Sequence, residues 1–405
     1  MFTITFPPTD RRESSWLRCN KEYNMGSVCR DLTYGQTGNL AEMVFCRIVR
    51  AGSIRKTERW NPIKIMSNKF KAYGATAKGQ ELALFEFDAG PLPADQVEIK
   101  VSHCGICHSD LSLLDNEWGF STYPLVPGHE VVGTVAAAGD AVKRVRVGDT
   151  VGLGWFSGSC MACPHCLAGD HNLCLNKEQT IVGRFGGFAD RVRCHWVWAT
   201  PLPAEVETVK AGPLFCGGLT VFNPIVQCGV QPTQRVGVIG IGGLGHLALQ
   251  FLNKWGCEVY AFTSSDSKRA EALVLGAHQV VNSRDAEQLK RIAGALDFIL
   301  CTVNVPLPWE EILGCLAPKG RLHMVGAVLE PLPVAAFALI AGQKTISGTP
   351  LGSPATTVKM LDFCARHKIA PTIEKFPMSR VNDALDHLRA GKARYRVVLE
   401  NDFCE

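Results

Sequence analysis

The run Val236-Gly-Val-Ile-Gly240-Ile-Gly242-Gly243-Leu244-Gly245 decides the fold of this chain. Its first half is apolar and β-branched, so Arg235–Ile239 reads as a buried strand. Its second half is a tight glycine turn, and Gly243–Lys254 continues at helical period. Glycines at 240, 242 and 245 let a pyrophosphate approach the backbone where the helix begins. A glycine-rich turn without a ligand is the rival reading. The strand before the turn and the helix after it favour a nucleotide.

Downstream the pattern alternates. Glu258–Phe262 reads as a strand, Ser267–Leu275 as a helix, and Phe298–Thr302 and Leu322–Val325 as strands. Strands joined by helical crossovers imply a doubly wound parallel sheet over residues 206–348. Upstream, residues 66–205 read as short strands and turns. Val97–Val101 alternates, and Val131–Val135 and Asp149–Leu153 are β-branched and flanked by glycine. The tail, 349–405, returns to mixed elements. The expected order is an α/β nucleotide domain inserted into a β-rich catalytic domain.

Bulk properties agree. A chain of 405 residues, 46% hydrophobic and with 39 glycines, accommodates two globular domains. A net charge of +4 supplies no reason to invoke nucleic acid or an anionic membrane surface. The longest apolar stretch, Val236–Leu252, is broken by five glycines and a histidine, a poor membrane span. The 17 cysteines form one tight cluster plus scattered singles, which points to metal binding in a reducing, cytoplasmic compartment rather than to a disulfide framework. Residues 1–65 stand apart, with 11 Lys/Arg against 6 Asp/Glu and no sustained period. They read as a disordered extension ahead of a second start at Met66.

The cluster is Cys160-Met-Ala-Cys163-Pro-His-Cys166 and, beyond seven intervening residues, Cys174. Four thiolates so close can fill all positions around a tetrahedral zinc, leaving none for substrate; the site is structural. An iron–sulfur cluster is the rival. His165 and His171 lie in the same lobe but are not needed as ligands. A second constellation combines Cys104-Gly-Ile-Cys107-His108-Ser109-Asp110, then Gly128-His129-Glu130, then Cys216. Thiolates, an imidazole and a carboxylate offer three protein ligands and one exchangeable position, as Lewis-acid catalysis requires.

Gly128-His129-Glu130-x2-Gly133-x5-Gly139-x2-Val142 resembles the signature of zinc-containing medium-chain alcohol dehydrogenases. Together with Tyr123-Pro-Leu-Val-Pro-Gly-His129-Glu-Val-Val-Gly133, the cysteine block is similar to the cinnamyl-alcohol-dehydrogenase branch and its NADP-dependent aldehyde reductases. The likeness runs from about Lys71 to Leu399. It implies a GroES-like catalytic domain and a Rossmann domain, and a reaction interconverting primary alcohols and aldehydes, mainly as aldehyde reduction. It selects Cys107 over Cys104 as the zinc ligand, with His129 and Cys216, and makes Glu130 the fourth group, able to coordinate or swing away. Asp110 becomes the carboxylate that orients a ligand histidine. Ser109 becomes the group that passes the proton outwards through the nicotinamide ribose. Thr220 and Val325–Ala327 are implied at the nicotinamide, and Arg396 and His108 at the pyrophosphate. Trp118 and Trp155 fall where relatives line the substrate pocket, which suits flat aromatic or medium aliphatic aldehydes. Where relatives carry a relay histidine this chain has Ser112, which cannot hold a proton near neutrality; water is the expected replacement.

The nucleotide is expected to be NADP(H). NAD-binding members of this fold place an acidic residue at the end of the second strand. Here Thr263-Ser264-Ser265 stands there, followed by Asp266, a cap for the next helix, and Lys268. Hydroxyls and an ammonium suit a 2′-phosphate. The expected inventory is two zinc ions per chain, NADP(H), a small alcohol or aldehyde substrate, no nucleic-acid or membrane partner, and homodimer assembly. A zinc-free quinone or enoyl reductase of the same fold would lack Cys107, His129 and Cys216. A non-catalytic nucleotide-binding protein would lack part of the inner site. A chain beginning at Met66 is expected to fold and to reduce aldehydes at near-full rate; loss of soluble, folded protein on truncation would assign residues 1–65 to the folded core.

Overall fold

The computed structural model describes residues 68–403 apart from Ser265, and the Asp266 side chain is also outside that description. The proposed extension, 1–65, lies outside the described residues.

The glycine turn sits in the expected strand–turn–helix unit. Arg235–Ile239 is the first strand of a six-stranded, all-parallel sheet. Across that sheet the strands run Gln279–Asn282, Glu258–Thr263, Arg235–Ile239, Leu296–Cys301, Leu316–Met324 and Thr345–Gly348. The order reverses direction beside Arg235–Ile239, where the crevice of a doubly wound sheet opens. Both faces are covered. Phe298 and Leu300 enter one apolar core while Ile299 and Cys301 enter the other, as the period-2 alternation of a strand dictates.

Two glycines make the turn possible. Gly240 has φ +90°, a region unfavourable to other residues. A Cβ on Gly245 would lie 1.8 Å from the Gly240 carbonyl oxygen, so helix Gly245–Trp255 could not seat against the strand. That helix ends at Gly256 in the left-handed conformation. The helix expected from Ser267 begins instead as a 3-10 turn, Asp266–Lys268, and becomes α-helical over Arg269–Val274.

A seven-stranded sheet forms the other core. Gln96–Ile106 is its centre, pairing antiparallel with Val131–Ala138, Arg191–His195 and Arg396–Glu400. Arg396–Glu400 returns from the far end of the chain. Helix Pro354–His367, which the sequence places with the β-rich part, instead buries Met360, Leu361 and Cys364 against helix Gly217–Gln227 in the nucleotide-domain core. A helix cannot be assigned to a layer by its order in the chain; its apolar face decides. No single described helix is long and apolar enough to cross a membrane.

Candidate active site

Three segments converge where the two sheets meet. Cys107 follows strand Gln96–Ile106 and precedes helix His108–Leu114. His129 and Glu130 immediately precede strand Val131–Ala138, and Cys216 immediately precedes helix Gly217–Gln227. One ligand atom from each of Cys107, His129, Glu130 and Cys216 can be chosen so that all four lie within 4.8 Å of one another, and all four residues are buried. Cys216 Sγ lies 3.8 Å from Cys107 Sγ and 3.3 Å from His129 Nε2. With Zn–S bonds of about 2.3 Å, the edge of a coordination tetrahedron is about 3.8 Å, so this donor set fits zinc.

The carboxylate of Asp110 organises the cluster. It is fully buried and accepts from the Cys107 N–H at 2.8 Å and the Gly128 N–H at 2.9 Å. It also lies 3.1 Å from His129 Nδ1, which leaves Nε2 turned toward the thiols. Trp155 meets the His129 ring edge-on at 4.9 Å. Hydrogen bonding, from Cys216 first and then from His129, holds the Cys107 thiol well below its ordinary value despite burial. Burial pulls the His129 imidazole down, but the charge and hydrogen bond of Asp110 together with those of Cys107 lift it well above its ordinary value. Cys104 stays apart: its thiol packs against Gly128 and Gly187, and burial pushes its pKa well up.

Glu130 divides its two oxygens. Oε1 is ion-paired with Arg396, while Oε2 is buried with no partner. A Cβ on Gly105 would come within 2.0 Å of Oε2, so the glycine in Cys-Gly-Ile-Cys makes room for this carboxylate. Burial pushes the Glu130 carboxyl up to about 7, against the pull of Arg396. The Arg396 guanidinium, expected at the pyrophosphate, is thus committed to Glu130 on one side. Its other edge borders the glycine turn, where Nη1 would sit 2.7 Å from a Cβ on Gly243.

A cleft of about 590 Å³ joins these parts. Cys107, Ser109, Cys216, Trp118 and Trp155 line it beside the buried Cys–His–Glu cluster, with Trp118 and Trp155 in edge-to-face contact. Thr220, Val325 and Ala327 line it further along, as do Gly240, Gly242, Gly243, Leu244, His108 and Arg396. Thr263 lies buried at the end of its strand, and Lys268 Nζ donates to the Ile241 carbonyl at 3.2 Å, bringing its charge to the glycine turn. Ser264 is exposed beside them, and Ser265 lies outside the described residues. Sequence reading missed Glu117, which lines the same cleft and accepts a 2.7 Å hydrogen bond from Ser112. The available signal was a carboxylate five residues after a serine standing where relatives have histidine.

The four-cysteine lobe is separate from the cleft. Its ligand atoms also fall within 4.8 Å of one another, with Cys160 Sγ 3.4 Å from Cys174 Sγ and 4.0 Å from Cys166 Sγ. The N–H groups of Ala162 and Cys163 lower the Cys160 thiol to about 6, which favours the thiolate that a metal needs. His171 Nδ1 is occupied by the Ser159 hydroxyl at 3.2 Å. No disulfide links the described cysteines.

Comparison with known proteins finds likenesses over most of the chain. The alcohol dehydrogenase GroES-like domain family matches residues 93–204, and the zinc-binding dehydrogenase family matches residues 243–366. The chain is 55% identical to an aldehyde reductase, AdhA, of Synechocystis over 331 residues, 82% of this chain and 98% of that protein. It is 42% identical to a probable cinnamyl alcohol dehydrogenase, 8A, of Oryza sativa over 79% of this chain and 91% of the relative. Among solved structures, a cinnamyl alcohol dehydrogenase (CAD) of Sorghum bicolor superimposes with a TM-score of 0.79 at 38% identity, covering 82% of this chain and 97% of its own. The CAD of Helicobacter pylori, solved with NADP(H), gives 0.76 at 28% identity, covering 83% and 99%.

Two metal counts test the site. Cys163→Ser is expected to lose one zinc per chain and to lower soluble yield and melting temperature, because a closed four-thiolate site is coupled to folding; a variant of wild-type stability with both zincs would refute the structural assignment. Cys107→Ala is expected to lose the other zinc, while Cys104→Ala keeps both. The reverse pattern would exchange the roles of the two cysteines.

Proposed function

Because the chain belongs to the zinc-containing medium-chain alcohol dehydrogenases, in the cinnamyl-alcohol-dehydrogenase branch, and interconverts alcohols and aldehydes as that family does, we propose that it works mainly as an NADPH-dependent aldehyde reductase with one catalytic and one structural zinc. Convergence of Cys107, His129 and Cys216 at one end of the cleft that the glycine turn borders carries this reading.

Each residue has a task in it. Cys107, His129 and Cys216 hold the catalytic zinc, which when bound polarises the substrate oxygen. Asp110 keeps His129 in the tautomer that presents Nε2. Glu130, paired with Arg396, stands by as an exchangeable fourth ligand through its unpartnered Oε2. Ser109, half-buried beside Cys107 Sγ at 3.7 Å, exchanges a proton with the substrate hydroxyl. Thr220 and the Val325–Ala327 backbone seat the nicotinamide. Trp118 and Trp155 provide an aromatic wall that suits aromatic or medium aliphatic aldehydes. Cys160, Cys163, Cys166 and Cys174 hold the structural zinc. Both thiol clusters need reduced cysteines, which supports a cytoplasmic setting. Strand Thr345–Gly348 ends the six-stranded sheet, and Phe337 and Ile340 on the preceding helix are exposed, which supports homodimer assembly.

The preference for NADPH rests on the end of the second strand. Thr263 takes the place where an acidic residue would bind the ribose hydroxyls of NAD, and Lys268 brings a positive charge to the turn. The CAD of Helicobacter pylori, solved with NADP(H), is consistent with this. The kcat/KM ratio for NADPH over NADH is expected to exceed one by a wide margin in wild type. It should drop by about tenfold or more in both Thr263→Asp and Lys268→Ala, one charge-assisted contact being lost or repelled. A wild type that favours NADH would overturn the assignment.

A further inference from the structure

The segment Thr349-Pro350-Leu351 follows strand Thr345–Gly348, lines the cleft, and is gripped from three sides. Asn172 Nδ2 donates to the Pro350 carbonyl at 3.1 Å, and Asn223 Nδ2 donates to the Leu351 carbonyl. The Thr349 hydroxyl lies 3.1 Å from His323 Nε2. Leu351 itself has φ +40°, a left-handed conformation rare for a bulky side chain. Such a conformation persists only where the surroundings over-determine it. Here two buried asparagine amides fix the peptides on both sides of Leu351 through their carbonyl oxygens.

The grips come from different parts of the fold. Asn223 lies on helix Gly217–Gln227, and a Cβ on Gly352 would come 2.8 Å from Leu219 Cδ1 on that helix, so the segment is seated close against it. His323 lies on strand Leu316–Met324 of the parallel sheet. Asn172 belongs to the four-cysteine lobe, in the 3-10 turn His171–Leu173 that runs directly into Cys174. The Cys174 thiol holds one end of that turn in its cluster, and the Ser159 hydroxyl holds His171 at the other. None of the four cysteines lines the cleft, yet their lobe reaches its wall through Asn172.

Leu351 packs against both the core of the seven-stranded sheet and the core of the nucleotide domain. With Trp155 it borders the cleft and also a cavity of about 10 Å³, room for about one water. A Leu351 released from its left-handed conformation has space to shift beside Trp155, so the width of the cleft there depends on the grip. We propose that Asn172 is a positioning residue: it ties the four-cysteine lobe to the Leu351 wall, keeps Leu351 left-handed, and so sets the room for a flat substrate beside Trp155. The proposal deepens the alcohol–aldehyde reading of the cleft and rests on it. It gives the lobe a task in substrate selection besides its part in folding, without any role for its thiols in the chemistry. The competing account is that Asn223 alone suffices to hold Leu351.

The test uses the full-length, zinc-loaded enzyme. Asn172→Ala and Asn172→Asp, the second of similar shape but without the amide donor, are expected to keep two zincs per chain. Their KM for benzaldehyde should rise by about 2- to 10-fold, the range for losing one hydrogen bond, with kcat and the KM for propanal changing less. Leu351→Gly separates positioning from general destabilisation. Glycine takes a positive φ without help, so adding Asn172→Ala to Leu351→Gly should change the benzaldehyde KM by less than about twofold. A readout independent of turnover is the methyl NMR spectrum of the cofactor-free protein. The Leu351 methyl resonances, identified by their loss in Leu351→Gly, should move in Asn172→Ala. An unchanged benzaldehyde KM, an equal rise in both backgrounds, or unmoved methyl resonances would overturn the proposal in favour of Asn223 alone. Loss of a zinc or of folding in both Asn172 variants would assign Asn172 to the stability of the lobe and overturn it as well. A wild type inert toward every alcohol and aldehyde would instead remove the oxidoreductase reading, and the Leu351 resonances would still report the grip.

Discussion

One buried carboxylate holds the site together. Asp110 bonds the Cys107 N–H, the Gly128 N–H and the His129 imidazole, so it joins the end of one strand to the start of its neighbour. The segments carrying Cys107 and His129 both take their position from it. Its own cost of burial is met because its oxygens are satisfied by fixed donors. Removing it would leave buried donors unpaired, at about 1–3 kcal/mol each. It would also free the His129 ring to turn, and a ligand histidine works only when its other nitrogen is fixed.

A second constraint ties the two sheets. Arg396 begins an inner strand of the seven-stranded sheet, yet its guanidinium is paired with Glu130 and borders Gly243 in the glycine turn of the other sheet. A buried ion pair contributes little net stability, since desolvation offsets much of the attraction. Its consequence here is positional. It holds one oxygen of Glu130 while the other is buried without a partner, and it sets a positive charge against the glycine turn. The cleft therefore joins a buried thiol–imidazole–carboxylate cluster to a glycine turn bordered by a guanidinium.

Motifs with tight local spacing were legible in the chain itself. Cys160, Cys163, Cys166 and Cys174 are so close in sequence that almost any compact loop brings their thiols together, and the structure does so. The glycine turn is similarly local: Gly240 takes a left-handed φ of +90° and Gly245 packs on the Gly240 carbonyl. The choice of Cys107 over Cys104 needed family resemblance, because spacing alone leaves both open. In the structure they part because Cys104 lies within the strand and packs inward, while Cys107 lies beyond its end.

Long-range pairings escaped the sequence. Nothing local announces that Arg396 meets Glu130, 266 positions away. Nor does the order of elements reveal that helix Pro354–His367 joins the nucleotide-domain core, since its burial depends on which apolar face it meets. The Ser112–Glu117 pair spans only five residues, yet it depends on a single left-handed residue, Asn116, that reverses the chain. The sequence by itself determined the two-domain α/β class, the nucleotide turn and the donor types, because these follow from hydrophobic period and from chemistry held in short stretches. Tertiary structure alone decided which oxygen of Glu130 is spoken for, which thiol is turned to the core, and where the cleft meets water, because each depends on groups that only folding brings within a few ångströms.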